Sequence, residues 1–363
     1  MSDRPIAIIT TRLPPAMCGV GAHSALLRKG WPMTSTSVEF LVVDGAADAR
    51  LVCEGDHVTQ FDGDAARLAL ALERLRETDL ILHYAARAYQ RWGCPVWLPG
   101  VLSGWKRKGR TGRLLVFVHE VPGEARFTSR HFWLGKVDAW VLRRLASIAD
   151  IVVTNTEAHR RKLEGISGRN DIHLVPVGSN IELVSSASVT RARQEFVLFG
   201  LPFGRWQTLR LFDPHIRRWQ AIGQFAKLHI IGPDGDEFSR EADRLISSWN
   251  DASAVVRHGV LPAPEVSRLL QGAQFALTNV TRETWSKSGA FMACAVHGCV
   301  PVISGQPPAE APLSYALAAA EVEAISDAEL ERRANALRAW YAESADWPVV
   351  AARLAALLKG DRR

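Results

Sequence analysis

The feature that most constrains this chain is a series of short, continuously apolar runs alternating with helical patterns along its whole length. Residues 6–9, 38–43, 80–82, 114–118 and 151–153 form one series, and 196–199, 228–231, 254–256, 275–277 and 301–303 form a second. Continuous apolarity belongs to strands covered on both faces, as in parallel α/β sheets. At 363 residues the chain exceeds what one hydrophobic core sustains, so two doubly wound sheets are expected.

The seam between them is expected within residues 181–193, which are rich in small polar residues and lack an amphipathic period. That divides the chain into residues 1–185 and 186–345. The closing helix, residues 346–360, is apolar almost all round and needs a surface to pack against.

Composition removes several function classes. The cysteines, Cys18, Cys53, Cys94, Cys294 and Cys299, are odd in number and scattered, with no C-x-x-C pair. A reducing compartment is expected, without a disulfide framework or structural zinc. The first residues carry no signal-peptide pattern, and no run approaches the roughly 20 apolar residues that span a bilayer. The expectation is a soluble or peripheral protein. The net charge of +6 mildly favours anionic partners. Around Trp97 and Trp105 the basic residues Lys106, Arg107, Lys108, Arg110 and Arg113 make residues 97–113 either a membrane-surface contact or a solvated helix end.

Four places combine polar groups with the end of an expected strand, where open α/β sheets meet their ligands. Gly19, Val20 and Gly21 follow the first strand and open a helix, leaving backbone N–H groups for an anion or forming an ordinary turn. The full G-x-G-x-x-G fingerprint is absent, which argues against a nicotinamide cofactor. His119 and Glu120 end the strand 114–118, and Gly200 and Arg205 follow the strand 196–199. Arginine suits a diphosphate because its planar fork presents two parallel donors. The loop after residues 275–277 holds Glu283, Ser286, Lys287, Ser288 and Gly289 before an Ala-rich helix. A helix N-terminus beside a lysine is an anion site. His297 reads as a helix-end residue complementing the dipole, and Tyr84 and Tyr89 as aromatic packing or cleft lining. No H-E-x-x-H, G-x-S-x-G or Walker P-loop occurs.

Taken in order, these motifs resemble the GT-B glycosyltransferases, and within them the retaining family-four group (glycosyl transferases group 1). The residues carrying the resemblance run from Cys18, Gly19, Val20 and Gly21 through His119-Glu120, Thr154-Asn-Thr-Glu157 and Val175-Pro-Val-Gly178. They continue with Gly232-Pro-Asp-Gly235, Gly259-Val-Leu-Pro-Ala-Pro-Glu265 and the closing segment from Trp347. The resemblance implies two Rossmann-like domains facing a cleft, with the closing helix crossing back to complete the first. It implies an activated nucleotide sugar held mostly by the second domain, an unidentified acceptor held mostly by the first, and metal-independent hexosyl transfer with retained configuration. Cofactors are expected to be none, the nucleotide sugar being a substrate. His119 would contact the donor sugar and Glu120 the acceptor side. Gly19, Val20, Gly21, Gly200, Arg205, Glu283, Ser286, Lys287, Ser288 and Gly289 would bind the donor.

One departure stands out. The family carries two glutamates eight positions apart, and the corresponding positions here are Trp285 and Ala293. Glu283 is the nearest acidic residue to the first. The expectation is therefore a glycosyltransferase of envelope polysaccharide, glycolipid or natural-product assembly, cytoplasmic or peripheral at the inner membrane face. The alternative is a catalytically inactive GT-B binding or regulatory protein. No nucleic-acid partner is expected, because no recognised binding module or aromatic-interleaved basic groove is present.

Overall fold

The computed structural model describes residues 4–16, 18–32, 37–45, 52–108, 111–184 and 191–360. It divides into two compact units, Met1–Val177 with Trp347–Arg363, and Gly178–Asp346. The first runs β1 (Ile6–Thr10), α1 (Gly19–Lys29), β2 (Glu39–Val42), β3 (His57–Gln60), α2 (Ala65–Glu73), β4 (Asp79–Tyr84), α3 (Ala86–Tyr89), α4 (Leu98–Arg107), β5 (Leu114–Val118), α5 (Arg130–Ile148), β6 (Ile151–Thr154), α6 (Glu157–Ser167) and β7 (Ile172–Leu174). The second runs β8 (Ala192–Phe199), α7 (Pro202–Ala221), β9 (Lys227–Ile231), α8 (Glu237–Ser247), β10 (Val255–Gly259), α9 (Ala263–Gly272), β11 (Ala273–Leu277), α10 (Gly289–His297), β12 (Val300–Ile303), β13 (Leu317–Ala318) and α11 (Asp327–Ser344). The last helix, α12 (Trp347–Lys359), belongs to the first unit.

All the strand pairs are parallel, in the order β3-β2-β1-β4-β5-β6-β7 in one sheet and β10-β9-β8-β11-β12-β13 in the other. Each order reverses direction once, between β1 and β4 and between β8 and β11. Such reversals leave a gap between the loops at the carboxyl edge of the sheet, because the two connections depart to opposite faces.

Both faces of each sheet are buried, as the continuous apolar runs require. In the first, Ile9, Leu82, Val116 and Val152 point to the helices α2, α4, α5 and α6, while Ile8, Ile81, Phe117 and Val153 point to α1 and α12. In the second, Phe196 stacks on Trp219, Phe225 and Phe275 on one face, and Val197, Ile231 and Ala276 pack against α9 and α10 on the other. Every fully buried side chain of this size contributes about 1.5–3 kcal/mol.

Strands β3, β7 and β13, which have no counterpart in the apolar runs, are all edge strands. An edge strand is covered less and needs less apolarity, and β3 and β7 are partly exposed. Residues 178–181 pack with the second unit, ahead of the seam read from composition. The Ser179 N–H donates to the Tyr341 hydroxyl (3.0 Å), and Ile181 joins the core beside α9 and α10. Residues 185–190 of that expected seam lie outside the described residues.

Helix α12 buries Trp347, Val350, Ala351, Leu354, Ala355 and Leu358 against α1 and the first sheet. Gly30 permits the approach, since a Cβ there would lie 2.6 Å from the Trp347 backbone. Arg113 donates to the Leu357 and Leu358 carbonyls (2.9 and 3.0 Å) and closes the helix end.

A buried ion pair fastens α1 to the segment before β3. Arg28 meets Asp56 at 2.9 Å, both side chains almost fully enclosed, and Asp56 also accepts from the Val38 and Cys53 N–H groups at 3.0 Å. Removing one partner strands the other charge. Asp56→Ala is expected to cost about 3–5 kcal/mol, read as a lower urea midpoint; a loss under about 1 kcal/mol contradicts this assignment.

Candidate functional site

In the second unit, the loops leaving β8 and β11 emerge from neighbouring parallel strands at the reversal of strand order. The first contains Gly200, at φ +146 with open space where a Cβ would project. Gly232, after β9, has φ +130 and comes so close that a Cβ there would lie 2.2 Å from the Gly200 carbonyl oxygen. Glycine is required at both positions.

Arg205, on the first turn of α7, is not a free arm. It is 4% exposed, and one amino nitrogen donates to Asp234 at 2.8 Å and to the Pro233 carbonyl. Its other amino nitrogen, Nη1, is buried with no protein acceptor. A diphosphate arginine expected from sequence is therefore half committed to its own fold and half available. Asp234 also lies 3.6 Å from Arg257. Arg210 lies over the Trp206 ring, Arg217 pairs with Asp213 and Arg218 with Glu323, so these three coat the surface of α7.

The loop after β11 ends in a short turn, Trp285–Lys287, and opens α10 at Gly289. Ser288 caps the helix by accepting from the Phe291 N–H at 3.1 Å. The N–H groups of Gly289 and Ala290, in the first turn, have no intrahelical acceptor. Lys287 and Glu283 are exposed and Ser286 is buried. Trp285 packs its ring 6.2 Å from Phe291 and 5.4 Å from Trp340, while Ala293 is fully buried in α10. Neither position can offer a carboxylate. His297 is also interior: its ring bonds the Ala293 carbonyl and the Ser267 hydroxyl, both at 2.7 Å.

In the first unit, α1 opens at Gly19 with no side-chain cap from Cys18, so its first N–H groups are uncovered. Gly19 is exposed with open space at its Cβ position. Gly21 has a packing requirement of its own, because a Cβ there would fall 1.5 Å from the Arg12 carbonyl oxygen. It lets the loop after β1 lie against the helix. Val20, between them, is half-buried.

His119 leaves the carboxyl end of β5 half-buried, and Glu120 beside it is exposed. His119 belongs to a group that sequence reading did not assemble. Its Nε2 shares a hydrogen with Nδ1 of His83, on β4, at 2.9 Å, and His23, on α1, packs edge-on to both rings at 4.9–5.0 Å. Phe117 and Trp347 complete the aromatic cluster. Burial drives His119 down to about 3, with His159 pushing the same way, and it drives His23 and His83 well below the usual imidazole range. The three are neutral rings at ordinary pH. Their donor atoms lie within 4.8 Å of one another, a set that suits a transition ion by atom type. Phe117 and Trp347, packed against them, offer no carboxylate to offset its charge. A neutral His119 can exchange one hydrogen bond with a ligand; it is no general base near pH 7.

Asp138 was also not singled out. It faces inward from α5 at a position continued by the buried Val141, Leu142 and Leu145, and accepts from the Tyr84 hydroxyl at 2.6 Å. Burial raises its carboxyl to about 6 against that hydrogen bond, and Glu120 adds to the rise. A polar residue on the apolar face of a helix was the signal available in sequence.

The whole chain superposes on solved structures, at identities that speak for fold alone. The N-terminal domain of Candida albicans trehalose-6-phosphate phosphatase matches at TM-score 0.70 and 12% identity, over 100% of this chain and 98% of that one. The UDP-forming α,α-trehalose-phosphate synthase of Burkholderia vietnamiensis matches at 0.65 and 12%, over 98% and 100%. The catalytic domain of Arabidopsis thaliana starch synthase IV, bound to ADP and acarbose, matches at 0.60 and 12%, over 98% and 100%. No protein-family profile and no curated protein matches by sequence. The fold is GT-B, shared with many glycosyltransferases.

A neutral histidine cluster makes stability depend on pH. The unfolded chain protonates its histidines below about 6.5 while the folded cluster does not, so stability is full above that pH and falls on acidification towards the folded pKa, about 3 for His119. Asp138 acts oppositely, favouring the fold as pH falls from about 6 towards its ordinary value. Comparing His23→Phe with the parent cancels that term. The variant's stability is expected to fall less steeply between pH 6.5 and 4, by up to about 1.4 kcal/mol per pH unit. Equal slopes in urea titrations would refute a neutral His23.

Proposed function

We propose that this protein is a GT-B glycosyltransferase taking its sugar from a nucleoside diphosphate sugar bound by the second unit. The observation that carries the reading is the pair of loops at the β8/β11 reversal, with two glycines, a buried arginine nitrogen lacking a partner, and a helix N-terminus beside Lys287. These are donors arranged for an anion. The ADP held by the starch synthase catalytic domain and the UDP-forming activity named for the Burkholderia protein supply the class of anion.

In this reading the Gly289 and Ala290 N–H groups, the α10 dipole and the Lys287 ammonium take up the charge of the departing diphosphate, and Arg205 Nη1 adds a fixed donor. Gly200 keeps the opposite wall clear. In the first unit, His119 can exchange one hydrogen bond with a sugar hydroxyl as a neutral imidazole, and Glu120 is exposed beside it. Transfer would retain configuration and use no metal. The ribose contact must differ from that of related enzymes, because Trp285 and Ala293 carry no carboxylate, leaving Glu283 as the exposed acidic group of the loop.

That same substitution favours a second reading, a GT-B protein that binds a nucleotide without turning it over. The trehalose-6-phosphate phosphatase N-terminal domain, which has this fold, belongs to a protein named for a different activity. Turnover separates the two. Incubation with a panel of nucleoside diphosphate sugars is expected to release nucleoside diphosphate slowly, water taking the sugar in the absence of an acceptor; thermal stabilisation by a nucleotide with no release from any sugar supports the binding protein.

Lys287→Ala is expected to weaken nucleoside diphosphate affinity about tenfold in calorimetry with an unchanged melting temperature. Unchanged affinity would remove Lys287 from the site. Arg205→Ala is unsuited to the same purpose, since it leaves Asp234 without its closest partner and should lower the melting temperature as well.

A further inference from the structure

The outward face of α5 combines aromatic and basic side chains in a way the fold does not use. Trp133, Val137 and Trp140 are 64%, 37% and 50% exposed. They lie at i, i+4 and i+7 and form one stripe. Lys136, Arg143 and Arg144 flank that stripe, all exposed. Phe127, just ahead of the helix, is 74% exposed, and Trp92, on a neighbouring loop, is 51% exposed with the Arg130 and Arg91 guanidinium groups over its ring. Lys136 lies over the Phe132 ring.

The charge of this face has one sign. Between residues 124 and 148 the acidic residues are Glu124 and Asp138, and Asp138 is turned into the core on Tyr84. Among the described residues, Arg126, Arg130, Lys136, Arg143 and Arg144 make no ion pair. Large exposed rings interleaved with unpaired cations cost solubility and contribute nothing to the core.

We propose that the α5 face docks this protein on an anionic lipid surface, the tryptophans entering the headgroup layer and the lysine and arginines meeting lipid phosphates. Indole rings favour the interface because one edge is polar and the body apolar. The charge pattern selects an anionic bilayer over a protein partner, whose interface would present carboxylates for these cations to pair with and acceptors for the indoles at fixed positions. An amphipathic helix of this kind lies in the plane of the surface, and among the described residues no helix is long and apolar enough to cross a membrane.

The basic segment after Trp105, which drew attention in the sequence, does not make such a surface. Trp105 is 3% exposed and donates its indole N–H to the Leu75 carbonyl. Lys106 pairs with Asp150 and Lys108 with Glu73, both at 2.6 Å. Gly109 and Arg110 lie outside the described residues.

Sedimentation with phosphatidylcholine vesicles, with and without about 30% phosphatidylglycerol, tests the proposal on the full chain. Binding is expected to the anionic vesicles and to be at least tenfold weaker to the zwitterionic ones. Two sets of exposed substitutions divide the contributions: Trp133→Ala with Trp140→Ala, and Lys136→Gln with Arg143→Gln and Arg144→Gln. Each is expected to lower partitioning, the second by roughly fivefold per cation removed, with melting temperature unchanged. No binding to anionic vesicles overturns the proposal, as does binding that both sets leave intact. Tighter binding to random-sequence duplex DNA than to anionic vesicles, lost in the second set alone, also overturns it in favour of a nucleic-acid surface.

Discussion

Parallel pairing is the constraint from which the rest of the molecule follows. A parallel strand cannot be reached by a tight turn, so each connection must climb over a face of the sheet and return, and the loops that carry chemistry gather at one edge. Where the order of strands reverses, two such connections part to opposite faces and leave backbone groups unpaired between them. In this chain the reversals fall between β1 and β4 and between β8 and β11. They put Gly19 beside one reversal and Gly200 with Gly289 beside the other. His119 stands one strand away from the first. The candidate groups were not assembled by their own interactions; the crossover rule brought them there.

The two reversals are furnished differently. The second offers hydrogen-bond donors: the Arg205 Nη1 that its pairing with Asp234 leaves without an acceptor, an exposed Lys287 and the start of α10. The first is lined by the neutral rings of His23, His83 and His119, with Trp347 from α12 closing the group. Burying three imidazoles together suppresses their charge, and the molecule thereby keeps an uncharged hydrogen-bonding wall where it could have had a cationic one. Helix α12 matters here for more than stability, because it ties the end of the chain to the His23 ring.

How much of this was legible in the sequence depended on whether the signal was local. Central strands announce themselves because both faces are buried, and the runs at 6–9, 80–82, 114–118 and 275–277 became β1, β4, β5 and β11. The edge strands β3, β7 and β13 are short or half-solvated and leave no such mark. Loops at strand ends were equally readable, so Gly200, His119 and the segment 286–289 do lie after β8, β5 and β11. What the loops do with their side chains was not. Arg205 is held by Asp234, 29 positions away, and the Arg12 carbonyl leaves no room for a Cβ at Gly21. His83 sits inside an apolar strand, where a polar side chain is a weak but usable sign, yet only the fold shows that its neighbours are His23 and His119. The membrane-like tryptophan at 105 proved to be core, whereas the exposed ones at 133 and 140 are separated by helical spacing that a reading by local composition passes over.

The proposed nucleoside diphosphate site at the β8/β11 reversal can be tested by its position. Hydrogen–deuterium exchange with and without a saturating nucleoside diphosphate locates the ligand without assuming its sugar or its acceptor. Slowed exchange is expected for backbone amides in residues 199–206 and 278–291, around Gly200 and the start of α10, with little change at α8 or α11 on the same unit. Protection confined to the first unit, or none with any nucleoside diphosphate, would contradict it.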